Sequence, residues 1–342
     1  MCLLRTSALG DVTHVVPLLR SLQTALPDTR LTWIVGKLER RLVGDIGGVE
    51  FVTFDKSRGL TGWRDARSAL AGRRFDALLH MQVALRSNLL SLAVRARRRI
   101  GYDHARSRDL HGLFVNERIP AVHGQHVLDA IGSFAGMLGI TPREPVWNIP
   151  VPEGGVAGAA QQWADDDQAT RLINACASHP LRNWHVAGYA AVADHAARSL
   201  DMRVVLTGGP SVAERRMGDA IAATMQTRPL DLIGRDTLKR ALALYQRGSI
   251  LLTPDSGPMH MANAMGTPVL GLHAASNPDR SGPYSDRRWC VNRYDDAARK
   301  YLGKPADALP WGRKIERPGV MELVTVEDVV GRLEAFVGHR ER

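Results

Sequence analysis

The sequence contains little cysteine, few aromatic residues and no long hydrophobic run. Its three cysteines, Cys2, Cys176 and Cys290, are too widely spaced along 342 residues to suggest a disulfide framework or a metal site. No apolar segment is long enough to span a bilayer, and the N-terminus leads directly into a predicted strand. We therefore expect neither a membrane span nor a signal peptide, and the composition favours a cytoplasmic protein.

Common nucleotide-binding and nucleophile motifs are also missing. Without G-x-G-x-x-G or G-x-x-x-x-G-K-[ST], a dinucleotide-dependent dehydrogenase and a P-loop ATPase are poorly supported. Without G-x-S-x-G, a hydrolase of the nucleophile-elbow type is poorly supported as well. The chemistry of the chain must therefore come from other polar groups at its strand ends.

The charge of the chain is biased toward one sign. There are 45 Lys+Arg against 35 Asp+Glu, a net charge of +10, which favours an acidic partner such as nucleic acid, an anionic membrane or a phosphorylated substrate. Aromatic residues make up only 6% of the chain, and neither a base-stacking platform nor a nucleic-acid motif is recognisable. We therefore expect no nucleic-acid partner, and a membrane surface or a small phosphate gains weight.

Residues 249–273 combine polar groups with a strand end and a helix start. Their pattern predicts a buried strand, a tight Asp-Ser-Gly-Pro turn, a short helix and a second buried strand. A helix start leaves backbone N–H groups unpaired and attracts anions. The polar residues there form either a ligand site or merely a helix cap with a core histidine. They are Asp255, Ser256 and His260.

A similar strand, polar loop and helix open the chain. Residues 2–5 predict a strand, and residues 12–26 carry apolar side chains at helical spacing. Between them, Gly10 permits a close approach of backbone or ligand, and Asp11 enters the helix start as either a cap or a functional carboxylate. This alternation recurs along the chain and predicts an α/β fold with two Rossmann-like, doubly wound domains facing each other across a cleft.

A proline- and glycine-rich stretch, which begins at Pro142, marks a change in composition. We expect an N-terminal domain at 1–150, a linker at 151–169 and a second domain at 170–320. Residues 321–342 are expected to form a C-terminal helix, for which one option is packing back toward the N-terminal domain.

Two basic segments have open interpretations. Residues 55–74 are rich in arginine and glycine and predict either a solvated helix face or a mobile anion-binding flap. Residues 95–99 contain four arginines and predict surface charge or a contact with membrane headgroups.

Five short motifs occur in order along the chain, at residues 5–14, 182–184, 207–210, 232–234 and 255–260. Together they resemble the lipopolysaccharide heptosyltransferases of glycosyltransferase family 9, and the resemblance spans nearly the whole chain. It implies a GT-B fold and an inverting, metal-independent transfer of heptose from ADP-L-glycero-β-D-manno-heptose to the lipopolysaccharide inner core, on Kdo or heptose of lipid A. No cofactor besides this donor is implied. The acceptor implies a peripheral position at the cytoplasmic face of the inner membrane.

The resemblance also assigns roles to individual residues. Asp11 matches the family's general base, which takes the proton from the attacking acceptor hydroxyl. Asp255 matches the residue that contacts the donor, while Ser256 and Gly257, with the helix N–H groups, would face the diphosphate. Ser178 stands where the family places a phosphate-binding hydroxyl.

Three further donor-side assignments are less direct. Arg182 occupies a position where the family usually has the lysine that neutralises the diphosphate; it keeps the charge but is not an equivalent group, so the donor's identity stays open. Glu214 is either a ribose contact or surface charge. His260 either braces the Asp255 turn or touches the ligand.

The acceptor side is assigned by region only. Lys56, Arg58 and Arg64 lie where the family's N-terminal, acceptor-binding domain holds phosphates and Kdo carboxylates, and the second domain would hold the nucleotide sugar. The alternatives are a family member with another nucleotide-sugar donor or a non-lipopolysaccharide acceptor, and a catalytically silent binder of nucleotide sugars or envelope partners.

Overall fold

A computed structural model describes residues 1–141, 143–163 and 168–340 of the protein. Pro142, residues 164–167 of the expected linker and residues 341–342 of the expected C-terminal segment lie outside the described residues. The chain divides into two compact units, Met1–Pro150 and Val151–Arg342. The division falls where the sequence predicts the first domain to end.

The N-terminal unit is built on a sheet of six parallel strands in the order β3-β2-β1-β4-β5-β6. Its central strands are buried along their length, as expected where helices cover both faces of a parallel sheet. The strands are β1 Cys2–Leu4, β2 Leu31–Gly36, β3 Val49–Phe54, β4 Phe75–His80, β5 Ala96–Gly101 and β6 Glu117–Arg118. The helices are α1 Leu9–Ala25, α2 Lys37–Val43, α3 Gly59–Ala69, α4 Leu85–Ser91 and α5 Val127–Gly136, with 3₁₀ turns at Lys56–Arg58 and His111–Leu113.

The C-terminal unit repeats this topology, with strands in the order β12-β11-β10-β7-β8-β9. Its strands are β7 Thr170–Ile173, β8 Arg203–Leu206, β9 Leu230–Asp231, β10 Ile250–Pro254, β11 Val269–His273 and β12 Val291–Asn292. The helices are α6 Glu153–Ala160, α7 Val186–Ser199, α8 Val212–Thr224, α9 Leu238–Arg247, α10 Gly257–Ala264, α11 Pro278–Ser281, α12 Tyr294–Leu302 and α13 Val326–Arg340. The 3₁₀ turns are Pro180–Arg182, Arg287–Trp289, Ala306–Ala308 and Val320–Leu323.

These two sheets confirm the predicted α/β class with two doubly wound units. In each unit the order in which strands are added to the sheet reverses next to the first strand. This switch point lies between β1 and β4 in one sheet and between β7 and β10 in the other. Ligands of open α/β sheets bind outside the carboxyl ends of the strands at such a switch point. The fold therefore directs attention to the loops after these four strands.

The final helix, α13, belongs to the core of the C-terminal unit. Val329, Leu333 and Phe336 are buried in the same apolar cluster as Trp184, whose indole N–H donates to the Val324 carbonyl at 2.9 Å. Packing of this helix toward the N-terminal domain stays a prediction. Within the described ranges, no helix is long and apolar enough to cross a membrane.

The structure refines two local expectations. Residues 95–99 largely form strand β5, in which Arg98 pairs with Glu117 of β6 and Arg99 donates to the Phe114 and Ser91 carbonyls. Arg95 and Arg97 are exposed, in line with the surface-charge alternative, and a contact with membrane headgroups stays a prediction. The expected linker contains helix α6, which packs on α9.

Candidate functional site

In the C-terminal unit, the loops after β7 and β10 bring three of the predicted residues together. The Arg182 guanidinium donates from Nη1 to the Asp255 carbonyl at 3.2 Å and lies 3.4 Å from Asp255 Oδ2. Its Nη2 donates to Ser178 Oγ at 2.9 Å. Because β7 and β10 are neighbours, the two loops meet at the switch point of this sheet.

Two residues of this cluster have no motif that could have revealed them. Glu316 Oε1 lies 3.2 Å from Arg182 Nε, and Lys314 Nζ lies 4.0 Å from Asp255 Oδ2. Ile315 between them is buried, and its N–H donates to the Ala275 carbonyl at 2.9 Å. The core thus anchors Ile315, and its two charged neighbours project into the cluster.

The cluster contains two permanent cations and two carboxylates. Burial by itself would raise the pKa of Asp255, but nearby positive charges, those of Lys314 and Arg182 among them, oppose it, and the net shift is downward. Burial lowers the pKa of His273 to about 4, so this ring is neutral near pH 7. Arg182 and Lys314 therefore balance Asp255 and Glu316, and Asp255 is an ionised group that only accepts hydrogen bonds.

The start of α10 does not have the ordinary capping arrangement. Ser256 occupies the cap position, but its side chain takes no hydrogen bond from the helix backbone; its hydroxyl is 2.9 Å from Thr253 Oγ1. The Asp255 side chain is held by Arg182. The simple alternative of a serine or aspartate cap is therefore wrong for α10. Gly257 is the first helical residue, and the half-buried His260 lies in the first turn, where it acts on Asp255 electrostatically.

The Glu214 side chain accepts hydrogen bonds from the glycine turn after β8. Its Oε1 accepts the Gly209 N–H at 2.7 Å and its Oε2 accepts the Ser211 hydroxyl at 2.6 Å, while Ser211 Oγ caps α8 by accepting the Glu214 N–H at 3.2 Å. Ser211 is thus the N-cap of α8, and the Glu214 carboxylate braces the glycine turn. A contact between Glu214 and a ribose stays a prediction.

In the N-terminal unit, Asp11 lies in the first turn of α1, directly after the β1 end. Its Oδ2 accepts the Ala8 N–H at 3.0 Å and lies 2.8 Å from Arg5 Nη2. Arg5 is itself fixed, because Nε donates to the Ser7 carbonyl at 2.9 Å. Burial opposes the charge of Arg5, but Asp11 outweighs it and the arginine pKa is raised. Asp11 is thus held by a permanent cation that sequence reasoning did not assign to the site.

The loop before Asp11 is held by Gln82, which follows the neighbouring strand β4. Gln82 Oε1 accepts from the Thr6 N–H at 2.7 Å, and its Nε2 donates to Ser7 Oγ at 2.9 Å. The loops after β1 and β4 therefore form one rigid assembly at the switch point of this sheet.

Beside this assembly lies a groove of about 450 Å³ between the β2 and β3 ends. Lys56 and Thr6 line it, together with the buried Glu39. Burial raises the pKa of Glu39, with Lys56 acting against the shift and Asp11 adding to it. Arg58 pairs with Asp65 on the surface, and Arg64 is exposed on α3. Of the three predicted acceptor-side cations, Lys56 is thus the one at the groove.

The two Rossmann-like units, with charged loops at both switch points, have the architecture of a GT-B glycosyltransferase. The profile of Glycosyltransferase family 9 (heptosyltransferase) matches residues 63–311, and the chain belongs to this family. It is 36% identical over 334 residues to the lipopolysaccharide core heptosyltransferase OpsX of Haemophilus influenzae, a match that covers 98% of this chain and 96% of the relative.

Solved structures agree on the fold. A glycosyl transferase family 9 protein from Veillonella parvula superposes with a TM-score of 0.82 at 21% identity, covering 99% of this chain and 97% of that one. The E. coli heptosyltransferase WaaC with ADP superposes with a TM-score of 0.75 at 18% identity, covering 98% and 99%.

Proposed function

We propose that this chain transfers a heptose from ADP-L-glycero-β-D-manno-heptose to the inner core of lipopolysaccharide, on Kdo or heptose of lipid A. Family membership and the full-length similarity to a core heptosyltransferase support the assignment. The structural observation that carries it is the Ser178, Arg182 and Asp255 cluster at the switch point of the C-terminal sheet.

The donor diphosphate would bind at the start of α10, where Ser256 and Gly257 leave the helix N–H groups to an anion. Asp255, an ionised acceptor, would take hydrogen bonds from heptose hydroxyls, with His260 bracing its turn. Arg182 has all three guanidinium nitrogens engaged by Ser178, Asp255 and Glu316. It would therefore hold the site in shape and contribute only part of its charge to the diphosphate.

Of the two cations in the cluster, Arg182 and Lys314, the lysine is held less tightly. Its side chain is 39% exposed, against 11% for Arg182, and its ion pair with Asp255 is long at 4.0 Å. A mobile ammonium can turn toward a phosphate without breaking a buried network. Lys314 is therefore proposed to supply the charge that the family's usual lysine supplies at position 182.

Asp11 would act as the general base of an inverting displacement. The acceptor hydroxyl oxygen forms a bond to the anomeric carbon while the bond from that carbon to the phosphate oxygen breaks. ADP leaves with the electron pair, and the hydroxyl proton passes to the Asp11 carboxylate. Arg5 orients this carboxylate and stays charged throughout.

The reaction is proposed to be metal-independent, with Lys314, Arg182 and the α10 N–H groups stabilising the negative charge that develops on ADP. Lys56, with Arg58 and Arg64, would hold acidic groups of the acceptor. A lipid-linked acceptor calls for work at the cytoplasmic face of the inner membrane as a peripheral protein.

The direct test is a transfer assay with the purified chain and two core acceptors, one ending in Kdo and one in heptose, comparing ADP-heptose with ADP- and GDP-hexoses. Heptose transfer with inversion, unchanged by a metal chelator, is the expected result. Transfer from a hexose nucleotide alone would instead indicate a family member with another donor, and transfer abolished by chelation would contradict metal independence.

A further inference from the structure

Helix α4 of the N-terminal unit buries Leu90 together with its polar side chains, but its other leucines, and Leu92 directly after it, are exposed. Its polar residues Ser87, Asn88 and Ser91 are at most 3% exposed. By contrast, Leu85, Leu89 and Leu92 are 48, 46 and 60% exposed, at a spacing that places them on one helix face. An outward row of leucines cannot contribute to the core of the unit, so it calls for a contact outside the unit.

The leucine row is continued by apolar residues from both neighbouring segments. On one side, the Trp63 indole of α3 donates to the Leu89 carbonyl at 3.3 Å, and Leu60 at the start of α3 is 78% exposed. On the other side, Asp109 accepts the Leu85 N–H at 3.0 Å, which brings Leu110 beside α4. We call this surface, together with Leu113, the leucine patch; Leu110 and Leu113 are 68 and 79% exposed.

The segments that form the leucine patch carry an excess of positive charge. They contain two aspartates, and both are already bonded within the surface, Asp65 to Arg58 and Asp109 to the Leu85 N–H. The remaining arginines are exposed, and one of them, Arg67, lies over the Trp63 ring at 5.4 Å. These exposed arginines are Arg64, Arg67, Arg86 and Arg108.

We infer that the leucine patch docks the N-terminal unit on an anionic lipid bilayer. Leucine and tryptophan side chains enter the boundary between headgroups and acyl chains, while surrounding arginines pair with anionic headgroups. Charge complementarity favours this occupant over a second copy of the chain, since two like patches would bring their arginines together. The role of this docking rests on the proposed function, because the patch would hold the enzyme where a lipid-linked acceptor lies. The test of docking itself is independent of catalysis.

The test is cosedimentation of the full chain with vesicles of phosphatidylethanolamine and phosphatidylglycerol, or of phosphatidylcholine alone. Changing Leu85, Leu89 and Leu92 together to Ser is expected to weaken partitioning onto the anionic vesicles by about ten-fold or more. Arg67→Gln with Arg86→Gln is expected to weaken it by about ten-fold and to reduce its salt dependence. The matched controls are Val212→Ser, at a position 68% exposed in the C-terminal unit, and Arg216→Gln with Arg228→Gln, both of which should bind as wild type does.

Transfer to a deacylated, water-soluble acceptor separates the two proposals. The leucine variant should keep this activity and lose transfer to an acceptor embedded in vesicles, so a failure of docking differs from a failure of the proposed chemistry. Wild-type binding that is equal on neutral vesicles, or unchanged by the leucine substitutions, would overturn the inference. So would a wild-type dimer that the leucine substitutions dissociate in sedimentation experiments without any binding to vesicles.

Discussion

Each unit has a carboxylate at the switch point of its sheet, but the two carboxylates lie in opposite environments. Asp11 follows the first strand of its sheet, has a side chain 40% exposed and pairs with Arg5. Asp255 follows the fourth strand of the other sheet, has a side chain 9% exposed and lies among Arg182, Lys314 and His273. The Rossmann-like topology supplies the position, and the neighbouring side chains decide what each carboxylate can do.

This difference in environment bears on the roles proposed for the Asp11 and Asp255 carboxylates. The Asp11 carboxylate, at 40% exposure, is accessible to an incoming hydroxyl. Protonating Asp255 would leave Arg182 without its buried partner, which is costly because a buried charge needs compensation. The contrast supports the proposal that Asp11 accepts the proton and that Asp255 positions the donor.

The largest expected effect is that of Asp11→Asn. The amide keeps the size and can still accept from Ala8, but it cannot take a proton, so kcat should fall about 10³-fold. The affinity for ADP, measured by calorimetry, should stay within about two-fold. Asp28→Asn, an exposed change in the same unit, is the control. If Asp11→Asn retains kcat, Asp11 is not the general base.

Arg182→Met should act on stability as well as on catalysis. It removes the most buried cation beside Asp255 and Glu316, which keep the more distant Lys314 and His179. Loss of one partner from a buried ion pair costs roughly 3–5 kcal/mol. Urea denaturation would measure this loss, with the exposed Arg235→Met as control. Arg182→Lys, which restores the charge but not the three-way geometry, should recover part of the stability. If Arg182→Met unfolds like wild type, the cluster is not the structural centre described here.

Lys314→Gln is expected to separate binding from folding. Because Lys314 is partly exposed and its ion pair is long, the free energy of unfolding should change by less than about 0.5 kcal/mol. The KM for the donor should rise about ten-fold, the usual scale for loss of one charge-assisted phosphate contact. Lys304→Gln, exposed in the same unit, should leave KM unchanged. An unaltered KM in Lys314→Gln would indicate that Arg182, and not Lys314, neutralises the donor diphosphate.

Sequence reasoning located both carboxylates because each follows a short apolar strand and opens a helix, and these patterns are local. It could not find Lys314 and Glu316, since they reach the cluster only through the burial of Ile315 in a distant core. The ion pair of Arg98 was missed for a similar reason, because its partner Glu117 belongs to a two-residue strand that periodicity does not register. Alternation of strands and helices predicts which loops lie at the sheet edge, whereas ion pairs depend on contacts between segments far apart in sequence.

The smallest expected effect concerns acid stability and extends the comparison of the units. In the N-terminal unit, His80 and His111 both bond to Asn88 Oδ1 at 2.9 Å; burial lowers their pKa values to about 3 and about 4. In the C-terminal unit, burial lowers the pKa of His273 to about 4. The unfolded chain takes up these protons near pH 6.5, before the folded chain does. Stability is therefore complete above about pH 6.5 and falls as the pH drops toward 4.

Each of these histidines should cost about 1 kcal/mol of unfolding free energy between pH 7 and pH 5.5, so the N-terminal unit should lose about twice as much as the C-terminal unit. Calorimetric scans at pH 7, 6 and 5.5 would measure this, with the N-terminal transition shifting more wherever the two units unfold separately. His80→Gln should flatten the pH dependence of that transition by about one proton, while the exposed His104→Gln should leave the slope unchanged. Equal slopes in wild type and His80→Gln would mean that the ring is protonated in the folded chain, and the contrast in acid sensitivity between the two units would disappear.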